Sequence, residues 1–425
     1  SYKIFFRNFI NRYSNRSFVN LANTDTRFDE TSFDQSIIKP EIQFEKKSNH
    51  LTYISGAGLY LETIDASRYA GKQNLQTIYA FSQTEWKTFH EKLTLIGGVR
   101  FDKRNDYAIN LSPRIAVAYK PSEAFKFMAS AGYGFKAPDF RHMYLSFYNA
   151  QIGYSLIGAN VLADELTKMQ NQGALVPGSD ISPYQIPSTL LPEKSVGYHA
   201  GIHFHKNKWK IESGIFRNDI QNLIDVYLLP IRKTNNGSLY SYRNINRIYT
   251  QGIDFDISCQ LLNSLSISAG YQYLEAKDKD VLDKIRAGKL YKRDPVTYVT
   301  SLVKEGDYIG LNNRSKHQFN AKINWTNEKS GWNVFVRGLY RGDYGFTDIN
   351  GNGIADDPRE MVNGFWMANV SVSKSFQNGF NVQTGVDNIF GYTNYLQMPN
   401  IAGRLFYLNI NYSINQLFNK NKVTL

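Results

Sequence analysis

Ser264-Leu265-Ser266-Ile267-Ser268-Ala269-Gly270-Tyr271-Gln272-Tyr273 puts Leu265, Ile267, Ala269, Tyr271 and Tyr273 on one side of an extended chain, and Ser264, Ser266, Ser268, Gly270 and Gln272 on the other. Side chains of a strand alternate between its two faces. An aromatic-ended apolar face opposite a small polar one therefore suits a strand with hydrocarbon on one side and water on the other. A half-buried strand of a soluble sheet alternates too, so one segment does not separate the two readings. The pattern recurs along the whole chain. Residues 92–102 set Leu93, Leu95, Val99 and Phe101 against Thr94, Gly98, Arg100 and Asp102. Residues 125–135 set Phe125, Phe127, Ala129, Ala131, Tyr133 and Phe135 against Lys126, Ser130, Gly132 and Gly134. Residues 366–373 alternate Trp366, Ala368, Val370 and Val372 with Met367, Asn369, Ser371 and Ser373. Residues 405–414 set Phe406, Leu408, Ile410, Tyr412 and Ile414 against Leu405, Tyr407, Asn409, Asn411 and Ser413. With similar segments near 2–12, 36–46, 50–62, 74–86, 112–120, 195–206, 208–218, 242–262, 314–327, 332–341 and 380–390, the expectation is roughly sixteen strands.

Composition agrees. The 29 Tyr and 27 Phe suit strands and interfacial aromatic girdles. Mean hydropathy is negative, which argues against an all-helical membrane protein. No apolar run reaches the roughly 18 residues of a spanning helix, but a barrel strand needs only every second residue apolar. No linker or shift in composition divides the 425 residues, so 1–425 reads as a single region: an all-β, transmembrane antiparallel β-barrel. The lone Cys259 permits no internal disulfide. From Ser1 onward there is no charged and apolar leader, so a signal peptide is expected to lie upstream or to have been removed.

The connections differ in length. Lys103 to Asn110, Lys120 to Ala124, Lys206 to Lys208 and Asn327 to Gly331 are short or moderate, whereas 136–194, 275–313 and 342–364 are long. Outer-membrane barrels keep short turns on the periplasmic side, so the long segments are expected to be external. In the first, Leu162, Leu166 and Met169 have helical spacing; in the second, Asp280 to Ile285 is another short helical stretch.

Four motifs in order resemble the barrel half of TonB-dependent outer-membrane receptors. They are Gly134-Phe135-Lys136-Ala137-Pro138-Asp139-Phe140 with Tyr144, and Leu191-Pro192-Glu193-Lys194-Ser195; then Asn244 to Phe255 with Gly252-Ile253-Asp254, and Val386-Asp387-Asn388-Ile389-Phe390 with Tyr395 and Gly403-Arg404. The Lys-Ala-Pro-Asp-Phe-Arg wording and Gly153-Tyr154-Ser155 look closest to haem and cobalamin receptors of Bacteroidetes type. The resemblance implies sixteen or so strands of a twenty-two-stranded receptor barrel, with the plug domain not visible here. It also implies residence in the outer membrane of a Gram-negative cell and coupling to the TonB energy complex through that plug. The expected activity is uptake of a scarce metal chelate, haem or a ferric siderophore-type complex, with cobalamin close behind. A passive porin-like channel or an adhesin scaffold is the alternative.

Candidate ligand contacts in the first long loop are Lys136, Arg141, His142, Tyr144 and Tyr148, with the ring of His142 a possible haem-iron ligand. Asp348, Asn350, Asn352, Ile354 and Asp356 reproduce the start of a calcium loop: oxygen side chains at positions 1, 3, 5 and 9, a backbone carbonyl at 7, and Gly353 at 6. Arg359 stands at position 12, so Asp357 or Glu360 would have to complete the shell. The same Asn-Gly steps are also ordinary turn formers. No catalytic motif occurs, and no enzyme activity is expected. The net charge of +12 and the cations Lys277, Lys279, Lys284, Arg286, Lys289, Lys292 and Arg293 of one loop suit lipopolysaccharide or an anionic ligand, and a surface lipoprotein is a further conceivable partner. No helix or sheet signature turns that charge toward nucleic acid.

Overall fold

The computed structural model describes every residue except 23, 150–152, 186–188 and 414–425, so Ile414 of the last expected strand lies outside the described residues. Contacts group the chain into two units: 1–118, 130–198 and 218–248, then 119–129, 199–217 and 249–425. The strands are β1 (Tyr2–Asn20), β2 (Arg27–Lys47), β3 (Leu51–Ala66), β4 (Gln73–Thr88), β5 (Leu93–Arg104), β6 (Asn110–Tyr119) and β7 (Phe125–Lys136). Helix α1 (Phe140–Tyr144), the short strands β8 (Ser146–Tyr148) and β9 (Ser155–Ile157), and α2 (Leu162–Asn171) follow. Then come β10 (Glu193–Lys206), β11 (Trp209–Arg232), β12 (Ser238–Leu262), β13 (Leu265–Asp278), α3 (Lys279–Arg286), and the short β14 (Tyr291–Arg293) and β15 (Thr300–Leu302). The chain ends with β16 (His317–Asn327), β17 (Trp332–Arg341), β18 (Tyr344–Gly345), β19 (Met361–Val362), β20 (Phe365–Ser375), β21 (Phe380–Asp387) and β22 (Leu405–Tyr412). Sixteen of these strands are long: β1–β7, β10–β13, β16, β17 and β20–β22. None of the described helices is long and apolar enough to cross a membrane.

In the second unit β13, β16, β17, β20, β21 and β22 form an antiparallel meander whose register makes the apolar face continuous. Tyr271, Phe319, Tyr340 and Trp366 stand in one row, Ala269, Ala321, Gly338 and Ala368 in the next. Ile267, Ile323, Val336, Val370, Val386 and Phe406 form a third. Trp366 is 50% exposed, Phe406 75% and Ile410 62%, which would be a defect in water and is the lipid-facing surface in a bilayer. Tyr340 and Trp332 bound this band on β17. At ~3.4 Å per residue they lie about 27 Å apart along the strand, which a tilt of ~40° lowers to about 21 Å, in keeping with an apolar band roughly 25 Å tall.

The first unit repeats the design with β1 to β5. Phe6, Ile42, Ala57, Ala80 and Phe101 share one row of the apolar face, while Arg7, Glu41, Gly58, Tyr79 and Asp102 share a row of the other. On that polar face glycines sit opposite aromatics. A Cβ on Gly58 would lie 2.5 Å from the Tyr79 hydroxyl, and one on Gly56 2.6 Å from the tip of Phe81. Each ring lies over its glycine and covers backbone that no side chain shields. In the second unit Gly385 stands in the same relation to Tyr407.

The strands run further than alternation indicated. β1 and β2 stay paired from Arg12 opposite Ser36 to Ser17 opposite Thr31, beyond the expected 2–12 and 36–46. With water on both faces there, backbone pairing persists while nothing demands an apolar side. Both expected helices form. Leu162 and Leu166 of α2 are buried with Ile157, Leu229 and Leu239, and Leu282 and Ile285 of α3 with Val303, Tyr308 and Ile354.

Candidate functional site

The segment after β7 is fastened from several sides. Arg104 pairs with Asp106 at 2.6 Å and donates from Nη1 to the Pro138 carbonyl at 2.7 Å. Asp139 caps α1: its carboxylate accepts the His142 N–H at 2.9 Å, and His142 Nδ1 accepts the Asp139 N–H at 3.3 Å. This reciprocal box needs a neutral imidazole. His142 is 5% exposed, its ring packs edge-on against Tyr242 at 4.9 Å, and burial lowers its pKa despite the opposing charge of Asp139. The structure thus gives His142 a capping task and places it behind the surface. Lys136 pairs with Glu193 at 3.2 Å, and Arg141 is exposed. Tyr144 is half-buried between two apolar clusters, and Tyr148 is exposed on β8.

Around Tyr148 the structure gathers residues that the sequence reading did not single out. β8 pairs with β9, and β9 runs parallel to Leu239–Ser241 at the start of β12. That pairing brings in Lys233, whose Nζ lies 4.2 Å from the centre of the Tyr148 ring and 3.3 Å from Ser155 Oγ. Lys233 is 7% exposed, and burial lowers its pKa. Arg68, paired with Asp29 at 2.6 Å, lies 4.5 Å from the Phe147 ring. Phe147 packs at a tilt on Tyr154, and Tyr154 meets Tyr240 edge to face. Lys233 is engaged from within by the ring and by Ser155, so the surface this cluster offers is the exposed Tyr148 ring, a face suited to a flat ligand. The nearest sequence signal, the density of Tyr and Phe at 144–154, does not point to Lys233, which lies 78 residues beyond Ser155.

A cavity of about 450 Å³ in the same unit is lined by Lys39, Tyr60, Tyr79, Arg100, Asp102 and neighbours. Most of its charges compensate internally: Arg100 pairs with Asp102 at 2.7 Å and lies over the Tyr79 ring at 4.3 Å, and the Tyr79 hydroxyl donates to Glu41 at 2.8 Å.

In the 342–364 connection, the Asp348 carboxylate accepts N–H groups of Gly351, Asn352 and Gly353 at 2.8, 3.2 and 2.9 Å. Asn350 and Asn352 both turn their amides onto Asp356, each at 2.8 Å. Ile354 is buried with the α3 cluster. Asp357 pairs with Arg359 at 2.7 Å, which holds its carboxyl down at about 2. Glu360, fully buried, accepts N–H groups from Ile349, Asn350, Asp356 and Asp357 at 2.6–3.0 Å. Both residues considered for completing a calcium shell are therefore engaged within the loop itself. Among the described residues no three His, Cys, Asp or Glu side chains are grouped to hold a metal.

Two-faced strands with glycine-backed aromatics on the polar face are the wall of a membrane β-barrel. The chain belongs to the TonB dependent receptor-like, beta-barrel family, whose model matches residues 2–389. It is 26% identical over 44% of its length to the ferric enterobactin receptor PirA of Pseudomonas aeruginosa, covering 23% of that protein. It is 26% identical over 53% of its length to the heme/hemopexin utilization protein C of Haemophilus influenzae, covering 33% of it. The solved siderophore receptor PirA of P. aeruginosa superposes with a TM-score of 0.58 at 14% identity, over 96% of this chain and 64% of that one. The matches span less than two thirds of these relatives, and the last shows the fold alone.

Proposed function

We propose that this chain is the barrel part of an outer-membrane receptor that takes up an anionic metal chelate, haem or a ferric siderophore-type complex, at the expense of TonB-coupled energy. The observation that carries the reading is the Lys233–Tyr148 and Arg68–Phe147 cluster, borne on the loop side of a receptor barrel. Lys136, Arg141 and Tyr144, which precede it in the chain, complete the proposed contact set; His142 supports α1. The relatives are a ferric enterobactin receptor and a haem utilisation protein, and both of those ligands are aromatic. Binding and release of a chelate require no bond chemistry, so the chain acts as a receptor and not as an enzyme. Lipopolysaccharide at the basic outer loops and a surface lipoprotein are proposed as further partners. Calcium is proposed at Asp348, Asn350, Asn352, Ile354 and Asp356, supported by the spacing of their oxygen groups and by their gathering in one hydrogen-bonded loop; a chelator that leaves proteolysis of this loop unchanged would remove it.

The purified protein in detergent, titrated with haemin and with ferric enterobactin while following absorbance and Trp fluorescence, tests the main reading. Saturable binding of one of them, weakened about tenfold by Lys233→Gln, is the expected result. Response to neither overturns the substrate class.

A further inference from the structure

Within the 275–313 connection, β14 and β15 make a hairpin of their own, separate from the wall sheet: Tyr291 pairs with Leu302, Lys292 with Ser301 and Arg293 with Thr300. Its base is fixed. Val303 is buried with α3, the Val303 N–H bonds the Leu290 carbonyl at 3.0 Å, Lys292 pairs with Asp307 at 2.9 Å, and Asn352 Nδ2 donates to the Tyr291 carbonyl at 3.4 Å. The turn is held as firmly. Asp294 Oδ1 accepts the N–H groups of Val296 and Thr297 at 2.9 and 2.7 Å, the Asp294 N–H bonds the Val299 carbonyl at 3.0 Å, and the Tyr298 N–H bonds the Asp294 carbonyl at 3.0 Å. Tyr298 takes the left-handed conformation, φ 59°, which costs free energy in a residue with a Cβ. Arg293 closes the turn from the side, with Nε donating to the Tyr298 carbonyl at 3.3 Å and the guanidinium 5.1 Å from the Tyr298 ring.

These bonds hold large apolar side chains in water. Val296 is 81% exposed, Tyr298 66% and Val299 61%, with Tyr291 and Leu302 exposed behind them. A single exposed valine is ordinary; five large apolar side chains within the twelve residues 291–302, on a turn of fixed shape, mark a contact surface. From Arg286 to Asp307 the chain has five cations and three carboxylates. All three carboxylates are engaged: Asp294 by its own turn, Glu305 by Arg286 at 2.7 Å, and Asp307 by Lys292. Those of the adjoining 342–364 connection are bound inside it, Asp343 and Asp348 by glycine N–H groups, Asp356 by two Asn amides, Asp357 by Arg359 and Glu360 by four backbone N–H groups. Asp280 and Asp283 of α3 are not free either. Lys289, Arg293 and Lys304 are exposed and, among the described residues, form no ion pair.

We propose that this hairpin is a docking element for a protein partner whose face sets carboxylates around an apolar pocket: Val296, Tyr298 and Val299 enter the pocket, and Lys289, Arg293 and Lys304 meet the carboxylates. The proposal rests on the reading of the chain as an outer-membrane barrel, which puts the 275–313 connection outside. Tyr and Arg are the side chains that most often dominate such contacts, and a turn already fixed loses little freedom on binding. Opposite charges around an apolar centre set the orientation and speed the encounter. A lipid surface suits the hairpin less, because phosphate and hydrocarbon lie at different depths in a leaflet, whereas Arg293 and Tyr298 stand side by side.

A random peptide library displayed on phage, panned on the purified chain in lipid nanodiscs with the double variant Val296→Ser, Tyr298→Ser as counter-selection, tests the element. Peptides that combine Asp or Glu with a large apolar residue are expected to be enriched. The synthetic form of the enriched sequence is expected to bind at least tenfold more weakly to the double variant and to Arg293→Gln, more weakly at high salt, and unchanged to the turn variant Lys329→Gln. Circular dichroism of each variant establishes that it is folded. No enrichment over the double variant, or enriched sequences without acidic residues, overturns the proposal. An environment-sensitive fluorophore on Val296→Cys in a Cys259→Ser background gives a second readout. Quenching by brominated lipid of the nanodisc overturns the protein partner in favour of the membrane surface, and an unquenched probe that shifts on adding the enriched peptide supports it. Haemin and ferric enterobactin are expected to bind the double variant as they bind the parent, so failure of both ligands on both proteins reports on the receptor reading and is distinguishable from failure here.

Discussion

Asn244 grips Leu191 by both ends of its amide: Oδ1 accepts the Leu191 N–H at 2.8 Å, and Nδ2 donates to the Leu191 carbonyl at 2.9 Å. The same NH₂ reaches the Asn222 carbonyl at 2.7 Å. One side chain thereby acts as a short strand and positions Leu-Pro-Glu at the start of β10, where Glu193 accepts the Ile224 N–H at 3.1 Å. Asn244→Leu keeps the volume and removes every bond. A loss of about 1–2 kcal/mol is expected, because the backbone groups at Leu191 are partly solvated and recover some bonding from water. The midpoint of urea unfolding in micelles measures it.

Gly385 is expected to tolerate no Cβ while Tyr407 is present, since the three atoms nearest to that position all belong to the Tyr407 ring. Gly385→Ala is predicted to cost about 1–3 kcal/mol in the parent and far less in a Tyr407→Ala background. A double-mutant cycle with no coupling would show that the ring does not depend on the glycine.

Glu360→Gln replaces one of two acceptor oxygens that together hold four backbone N–H groups. The buried donors left without a partner cost about 1–3 kcal/mol locally. Limited proteolysis is predicted to cut within 342–364 several times faster, with the strands intact.

For His142, burial holds the pKa below its ordinary 6.5, so the unfolded segment binds a proton more readily than the folded one. The stabilisation is fully present above pH 6.5 and is lost as pH falls through the lower folded value. Asp139 and Glu193 oppose the shift, Lys136 and Arg141 add to it, and Tyr242 faces the ring without a charge. Amide exchange over Phe140–Tyr144 is predicted to speed up between pH 7 and pH 5, and His142→Asn to flatten that dependence.

Strand number, the lipid-facing side and two loop helices were legible in the chain because each follows from a period of two or of 3.6 residues. Motif order was legible as well, but the tasks of its residues were not. Asn388, in the closing motif, accepts the Tyr392 N–H at 3.0 Å and donates to the Tyr392 and Ala402 carbonyls at 2.8 and 3.0 Å. Arg404 donates to the Ile389 carbonyl at 2.9 Å. These motifs join turns to strands, and nothing in their spelling says which backbone group each one meets.

The sequence by itself determined a wall of two-faced strands, since every second side chain had to suit hydrocarbon. Only the tertiary structure decided that Lys233 stands over Tyr148, that His142 caps a helix, and that Asn244 holds Leu191. Those relations depend on strand register and loop return between residues far apart in the chain, and a local period carries no information about either.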